Sequence, residues 1–242
     1  YRNEKVATES QYLTEAFARE EAAFVGASDT RPFFLYLPFN AVHAPLQSLE
    51  SDSEPFSSAK ADRKAFAGML TALDRGVGRV MEALRSVGKD KNTLVVFLSD
   101  NGGPTLTTTS KNGPLRGYKA QVYEGGIRVP FIVRWPGHAP RGATISEPTI
   151  SLDLAPTFLE AAGQRTLPPE LDGRSLVSGW SQARNEGDRT LVWKMGQQHA
   201  LRSGNWKLVH RDNKTELYDL RSDLGETRDL AALSVALAER GR

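Results

Sequence analysis

The chain has 242 residues, 39% of them hydrophobic and 25% charged, the balance of an ordinary globular protein with room for a sizeable core. Its 31 basic and 29 acidic residues leave a net charge of +2, which gives no support to nucleic-acid binding. The absence of cysteine excludes disulfides, thiolate metal sites and a cysteine nucleophile within this chain, and no apolar run approaches the roughly 18 residues of a membrane span.

Residue 1 is a tyrosine with no basic-plus-apolar leader behind it, so any targeting signal is expected to be removed or to lie in sequence not carried here. Residues 11–25 place Leu13, Ala16, Phe17, Ala23 and Phe24 among Glu and Arg, an amphipathic helix pattern. Arg31-Pro32 interrupts it, and Phe33-Phe34-Leu35-Tyr36-Leu37 reads as a buried strand. From about Asp62 to Val87, Phe66, Met69, Leu70, Leu73, Val77, Val80, Met81 and Leu84 recur at helical spacing. Gly88 is placed as the left-handed residue beyond the helix end. Leu94 to Leu98 is a second short apolar run, expected to be a strand buried on both faces. Strand, long helix, strand is the pattern of a parallel sheet covered by helices.

A polar loop spans about 102–117, a strand runs from Pro130 to Arg134, and Ser151 to Ala162 forms a further helix closed by Gly163. The Pro- and Gly-rich stretch 166–179 marks a boundary. Beyond it, strand-like runs at 190–195, 199–202, 206–210 and 215–218 are separated by the turn signals Gly204-Asn205 and Asp212-Asn213. The expected fold is therefore α/β: part of a mostly parallel sheet flanked by helices over residues 1–180, then a small antiparallel subdomain with a terminal helix over 181–242.

Chemistry concentrates at the strand ends. The run 94–98 stops at Asp100-Asn101-Gly102-Gly103, and ligands in open α/β sheets sit outside the carboxyl ends of the strands. The carboxylate and amide offer hard oxygen donors suited to Ca²⁺ or Mg²⁺, although an Asx turn closing the strand uses the same residues. His43 follows the first apolar strand, in Asn40-Ala-Val-His-Ala-Pro, and Lys119 lies in the loop after the second. A metal, a lysine and a histidine on one rim suit a tetrahedral oxyanion such as sulfate or phosphate. His138 and His210 read as surface or structural residues, and Glu124 with Arg128 as an internal ion pair supporting the loop.

The segments Tyr12-Leu-Thr, Phe33-Phe-Leu-Tyr-Leu-Pro-Phe-Asn-Ala-Val-His-Ala-Pro-Leu and Thr93-Leu-Val-Val-Phe-Leu-Ser-Asp-Asn-Gly-Gly occur in the order found in a known family. So do Tyr123-Glu-Gly-Gly-Ile-Arg-Val-Pro, Leu152-Asp-Leu-Ala-Pro-Thr-Phe-Leu, Asp172-Gly-Arg-Ser-Leu and Glu216-Leu-Tyr-Asp-Leu. Over nearly its whole length the chain resembles the formylglycine-dependent sulfatases of the alkaline phosphatase-like superfamily, in their arylsulfatase and N-acetylgalactosamine-6-sulfatase-like branch. The resemblance implies that Asp100 and Asn101 are Ca²⁺ ligands and that Lys119 contacts the sulfate. It also implies that His43 supplies a proton to the departing alcohol. His199 either lines the substrate pocket or is a satisfied strand histidine. The implied chemistry is attack of a hydrated formylglycine oxygen on sulfur, then expulsion of sulfate.

One departure is large. The family's nucleophile arises in a Cys/Ser-x-Pro-x-Arg motif, and this chain has no cysteine. Its triplets Ser53-Glu-Pro and Ser146-Glu-Pro have Ser57 and Ile150 where arginine is required. The paired aspartates that complete the calcium shell precede the alignment of Tyr1. The chain is expected to be a C-terminal half, inactive alone and poor in metal affinity. Its implied substrate is a sulfated carbohydrate or aryl sulfate, and its implied location is periplasmic or secreted. Two alternatives stay open: a phosphodiesterase or phosphonate hydrolase of the same superfamily, and a non-catalytic binding protein retaining the fold.

Overall fold

The computed structural model describes residues 3–27, 30–182 and 189–232. These form two compact units, residues 1–92 with 104–110 and residues 93–103 with 111–242.

The first unit is helical, built from α1 (Leu13–Ala27), α2 (Glu50–Ser53) and α3 (Ala61–Ser86). The periodic apolar stripe of α3 buries Met69, Leu73 and Leu84, and α1 turns Ala16, Ala18 and Val25 inward. Gly76 lets α1 come close, since a Cβ there would meet the Phe39 ring at 3.1 Å and the Ala18 Cβ at 3.4 Å. α3 ends as expected: Gly88 has φ +69°, Lys89 N–H donates to the Leu84 carbonyl and Gly88 N–H to that of Arg85, a Schellman cap. Arg75 grips both carboxylate oxygens of Asp52 at 2.6 and 2.7 Å and reaches Glu15 at 2.8 Å, tying the three helices together. These hydrogen bonds hold Asp52 below the usual carboxylate range.

Residues 33–37 depart from expectation. They pair with no strand among the described residues, and their burial alternates, with Phe34 70% and Tyr36 75% exposed. An apolar run becomes a strand only when a neighbouring backbone takes its hydrogen bonds.

In the second unit β1 (Val95–Leu98) pairs with β2 (Phe131–Arg134), with Phe97 opposite Ile132 and Leu98 opposite Phe131. This pairing is antiparallel, and no parallel pair occurs among the described residues, while the expected α/β class with a C-terminal antiparallel sheet is present. β1 is not buried on both faces, for Phe97 is 37% exposed. Between β1 and β2 lies the short α4 (Glu124–Ile127). After β2 come α5 (Leu154–Ala161) and α6 (Val177–Gln182). Buried Asp153 organises that region by accepting from the Ile150 and Arg174 amides and, at 2.8 and 2.5 Å, from Arg189.

The expected antiparallel sheet is present as a meander in the order β3 (Thr190–Met195), β4 (Gln198–Ser203), β5 (Trp206–Arg211), β6 (Lys214–Asp219). Asp212 and Asn213 both have positive φ, 52° and 59°, as a two-residue hairpin turn matching strand twist requires. One face of this meander packs Ala200, Val209 and Tyr218 with Val122, Tyr123 and Leu220 into a buried cluster, with Trp193 against it. The meander thus shares a core with the segment that leads into α4. Ala231 and Ala232 are helical, and the remainder of the expected terminal helix lies outside the described residues.

Candidate active site

β1 ends at Leu98, and the chain turns through Ser99-Asp100-Asn101-Gly102. Asp100 is exposed and Asn101 half-buried. Asn101 Nδ2 donates to the Gly102 carbonyl at 3.0 Å, and Ser99 Oγ donates to the Asn101 carbonyl at 3.0 Å, neither bond being that of an Asx turn. The side-chain oxygens this turn can offer a cation are the Asn101 amide oxygen and the two of the Asp100 carboxylate.

Two contacts bind this turn to the Lys119 loop. Gly102 N–H donates to the Gly126 carbonyl at 2.9 Å. A Cβ on Gly102 would lie 1.8 Å from the Gly125 carbonyl oxygen, so only glycine allows the approach. Asn112 makes the second link. Its Oδ1 accepts from Gly103 N–H at 2.9 Å, and its Nδ2 donates to the carbonyls of Gly103 and Gly117 at 2.9 and 3.1 Å. Sequence reasoning missed Asn112, because an Asn between Lys and Gly in a polar loop looks like any turn residue.

Lys119 is half-buried between Gly117 (φ +87°) and Ala120 (φ +69°). Behind it Gln121 N–H donates to the Tyr118 carbonyl, and Gly125 N–H to the Arg116 carbonyl at 2.6 Å, folding the loop back on α4. Asp100, Asn101 and Lys119 therefore belong to one unit and to two loops stapled together.

His43 lies in the first unit, exposed, in a turn closed by its own N–H donating to the Asn40 carbonyl at 2.8 Å. Its Nδ1 is 2.7 Å from the Ala44 carbonyl. A carbonyl only accepts, so Nδ1 carries the proton in this contact.

His199 is exposed on β4, its ring centroid 6.3 Å from that of His210 on β5. Its neighbour Gln198 donates to the Ala120 carbonyl at 3.2 Å, next to Lys119. Strand alternation sends the two side chains to opposite faces, so His199 points away from that loop. The anticipated Arg128–Glu124 pair is present at 3.5 Å.

The donor chemistry suits a hard cation, but its number does not. Asp100 and Asn101 supply at most three oxygens of the six to eight that Ca²⁺ takes. Among the described residues no cluster of three or more His, Asp or Glu is poised to hold a metal. The turn fits as one part of a calcium shell.

With that geometry in view, the comparisons are specific. The model of the sulfatase family matches residues 1–164, and that of the N-sulphoglucosamine sulphohydrolase C-terminal region matches residues 118–235. A sulfatase of Formosa agariphila is 34% identical over 92% of this chain and 46% of its own length. Arylsulfatase A of Homo sapiens is 38% identical over 69% of this chain and 32% of its own. The crystal structure of Ps i-CgsB in complex with k-i-k-neocarrahexaose superposes with a TM-score of 0.90 at 37% identity, covering 97% of this chain and 54% of that one. The chain thus covers only 46%, 32% and 54% of the lengths of these three relatives.

Proposed function

This chain belongs to the sulfatase family, and we propose that it carries the cation-ligand and anion-binding half of a sulfuric ester hydrolase. The observation that supports this most is the stapling of the Asp100–Asn101 turn to the Lys119 loop through Asn112 and the Gly102–Gly126 hydrogen bond. It holds hard oxygen donors and a lysine on adjoining loops, as recognition of a sulfate with its counter-ion demands. The proposed substrate is a sulfated carbohydrate or aryl sulfate. An oligosaccharide ester is favoured by the ligand in the Ps i-CgsB complex.

In this reading Asp100 and Asn101 hold Ca²⁺, which when bound neutralises charge on the transferring group, while a formylglycine outside these residues supplies the nucleophile. Lys119 places its ammonium against the negative charge that develops on sulfate and leaving oxygen, in a site preorganised by the loop behind it. His43 keeps its Nδ1 proton on the Ala44 carbonyl, so a second proton on Nε2 is the one it delivers to the departing alcohol. His199 is assigned no contact with the anion. A periplasmic or secreted location belongs to the same reading; among the described residues no helix is long and apolar enough to cross a membrane.

The test is hydrolysis of 4-nitrophenyl sulfate and a sulfated oligosaccharide by residues 1–242 joined to the nucleophile-bearing half of a sulfatase. Residues 1–242 alone are expected to give no turnover. In the joined protein, Lys119→Ala and His43→Ala are each expected to lower kcat about 100-fold or more. Asp100→Ala is expected to raise the calcium concentration needed for activity. Full turnover in all three variants, or a preference for the phosphate ester, would sink the reading.

A further inference from the structure

Away from the candidate sulfate contacts, the second unit buries an ion cluster to which the proposed chemistry assigns no task. Lys207 on β5 is fully buried. Its ammonium donates to Glu124 Oε1 at 2.8 Å and lies 2.8 Å from Glu226 Oε1, an ion pair without hydrogen-bond alignment. Glu226 Oε2 in turn accepts from the backbone N–H of Glu124 at 2.7 Å. The first residue of α4 is therefore held twice, by its side chain and by its amide. The other oxygen of Glu124, Oε2, is approached by Arg128 at 3.5 Å and Arg202 at 3.9 Å. Burial pushes the Glu226 carboxyl up against the pull of Lys207.

A lysine buried between two carboxylates is weak evidence for stability alone, because desolvating three charges offsets most of their attraction. What the cluster does secure is a location. Glu124 is followed immediately by Gly125 and Gly126, the backbone on which the Asp100–Asn101 turn rests. A Gly102 side chain would strike the Gly125 carbonyl, and Gly102 N–H is satisfied by Gly126. Gly125 N–H donates to Arg116, three residues before Lys119. Arg116 is itself tied to this region: its guanidinium stacks 3.9 Å from the Tyr123 ring centroid and donates to the Tyr218 hydroxyl at 2.7 Å and the Glu226 carbonyl at 3.0 Å. The path from Lys207 to the metal-ligand turn runs through one helix residue and two glycines.

We propose that Lys207 and Glu226 are positioning residues for the candidate site: by clamping Glu124 they fix the Gly125–Gly126 backbone, and with it the Asp100–Asn101 turn and the Lys119 loop. This deepens the sulfatase reading and rests on it for the identity of the turn's ligands, though the mechanical link does not require a ligand.

Amide hydrogen exchange of the 242-residue chain, followed by NMR, tests it without substrate or metal. In Lys207→Met, exchange at Gly102, Gly125 and Gly126 is expected to rise about tenfold or more while Ala200 and Val209 keep their wild-type protection. Lys207→Arg is expected to restore most of the protection at Gly102, since it returns the cation. Uniform loss of protection across β3–β6 would mean that the cluster is merely structural. Unchanged protection at Gly102 would overturn the proposal outright. Should Lys207→Met not fold, Glu226→Gln decides: it keeps an acceptor for Glu124 N–H, removes the charge that holds Lys207, and is expected to raise exchange at Gly102 and Gly126 severalfold. A parallel calcium titration, read at the Asn101 and Gly102 amides, separates the two ideas. A wild-type chain that ignores calcium while Lys207→Met loosens Gly102 would count against the metal reading and leave the positioning role standing.

Discussion

The meander β3–β6 is made of four consecutive six-residue strands joined by two-residue turns, whereas β1 and β2 are four-residue strands with the excursion 99–130 between them. Every ladder of the first is closed by a neighbour a few residues away in sequence. The second has a single ladder, and the directly opposed pair Phe97 and Ile132 is 37% and 61% exposed. Two-stranded sheets are marginal by themselves in water. The candidate chemistry at residues 100–102 nevertheless hangs from β1. What compensates is the bracing of α4 by Lys207 and Glu226, so the self-sufficient sheet holds the loops of the dependent one.

The largest effect that breaks this comparison is expected from the meander's core. Tyr218 is 1% exposed and packs in the cluster with Val209 and Val122. Tyr218→Ala removes an aromatic side chain and the acceptor for Arg116, and is expected to cost about 3–5 kcal/mol in urea unfolding. A loss below about 1 kcal/mol would mean that the meander is not the stable body described here. Next comes Gly102→Ala, whose Cβ would lie 1.8 Å from a backbone oxygen that cannot rotate away. It is expected to cost about 1–3 kcal/mol as an overpacking change, with protection lost at Gly126 and kept at Val209. Neutral behaviour would show that the two loops slide freely.

The same contrast explains what could be read in advance. α1, α3, α5 and all four strands of the meander stand within a few residues of the sequence expectation, because apolar periodicity and local turn residues specify them without distant help. Gly88 and Asp212-Asn213 are cases where one backbone conformation is named by residue type. The parallel pairing is expected from the strand, long helix, strand order and from two apolar runs, and an apolar run records that it wants burial, not which backbone pairs with it. Residues 33–37 carry that signal without pairing as a strand among the described residues. At the site, Asp100, Asn101 and Lys119 stood out by chemistry and family pattern. Asn112, Lys207 and Glu226 did not: a polar residue in a loop and a lysine in an alternating strand look solvated until the fold brings carbonyls and carboxylates to them. Glu226 also depends on a backbone with φ +52°, which sequence does not announce for a glutamate.

Acidity offers a subtler probe of the brace. Because burial raises the folded-state pKa of Glu226, its contribution is fully present below the unfolded value of about 4.3 and is lost as pH rises through the folded value. The stability of wild type relative to Glu226→Gln is therefore expected to fall as pH rises above about 4.3, as measured by urea unfolding at several pH values. A pH-independent difference would mean that the pull of Lys207 offsets the cost of burial, and the upward shift of Glu226 would be wrong. Carboxylates held low by partners, such as Asp153 beneath Arg189, move the other way: their stabilisation is present above about pH 3.9 and lost on further acidification. The variant comparison cancels that background.

The smallest expected effect is the most informative about β1–β2. Ile132 lies across from Phe97 on the exposed face, so its side chain gives up little water-free contact when shortened. Ile132→Ala is expected to change stability by no more than about 0.5 kcal/mol, the range of ordinary surface substitutions. The same deletion in a covered sheet costs several times that amount, as Leu- or Ile-to-Ala changes in cores do, about 2–5 kcal/mol. Measuring the variant at two protein concentrations separates the causes. A large loss independent of concentration would place this face in contact with the rest of the chain, and one that grows with concentration would show that copies of the chain bury it against each other. A negligible loss at both leaves Phe97 and Ile132 as an uncovered row beside the turn that carries Asp100.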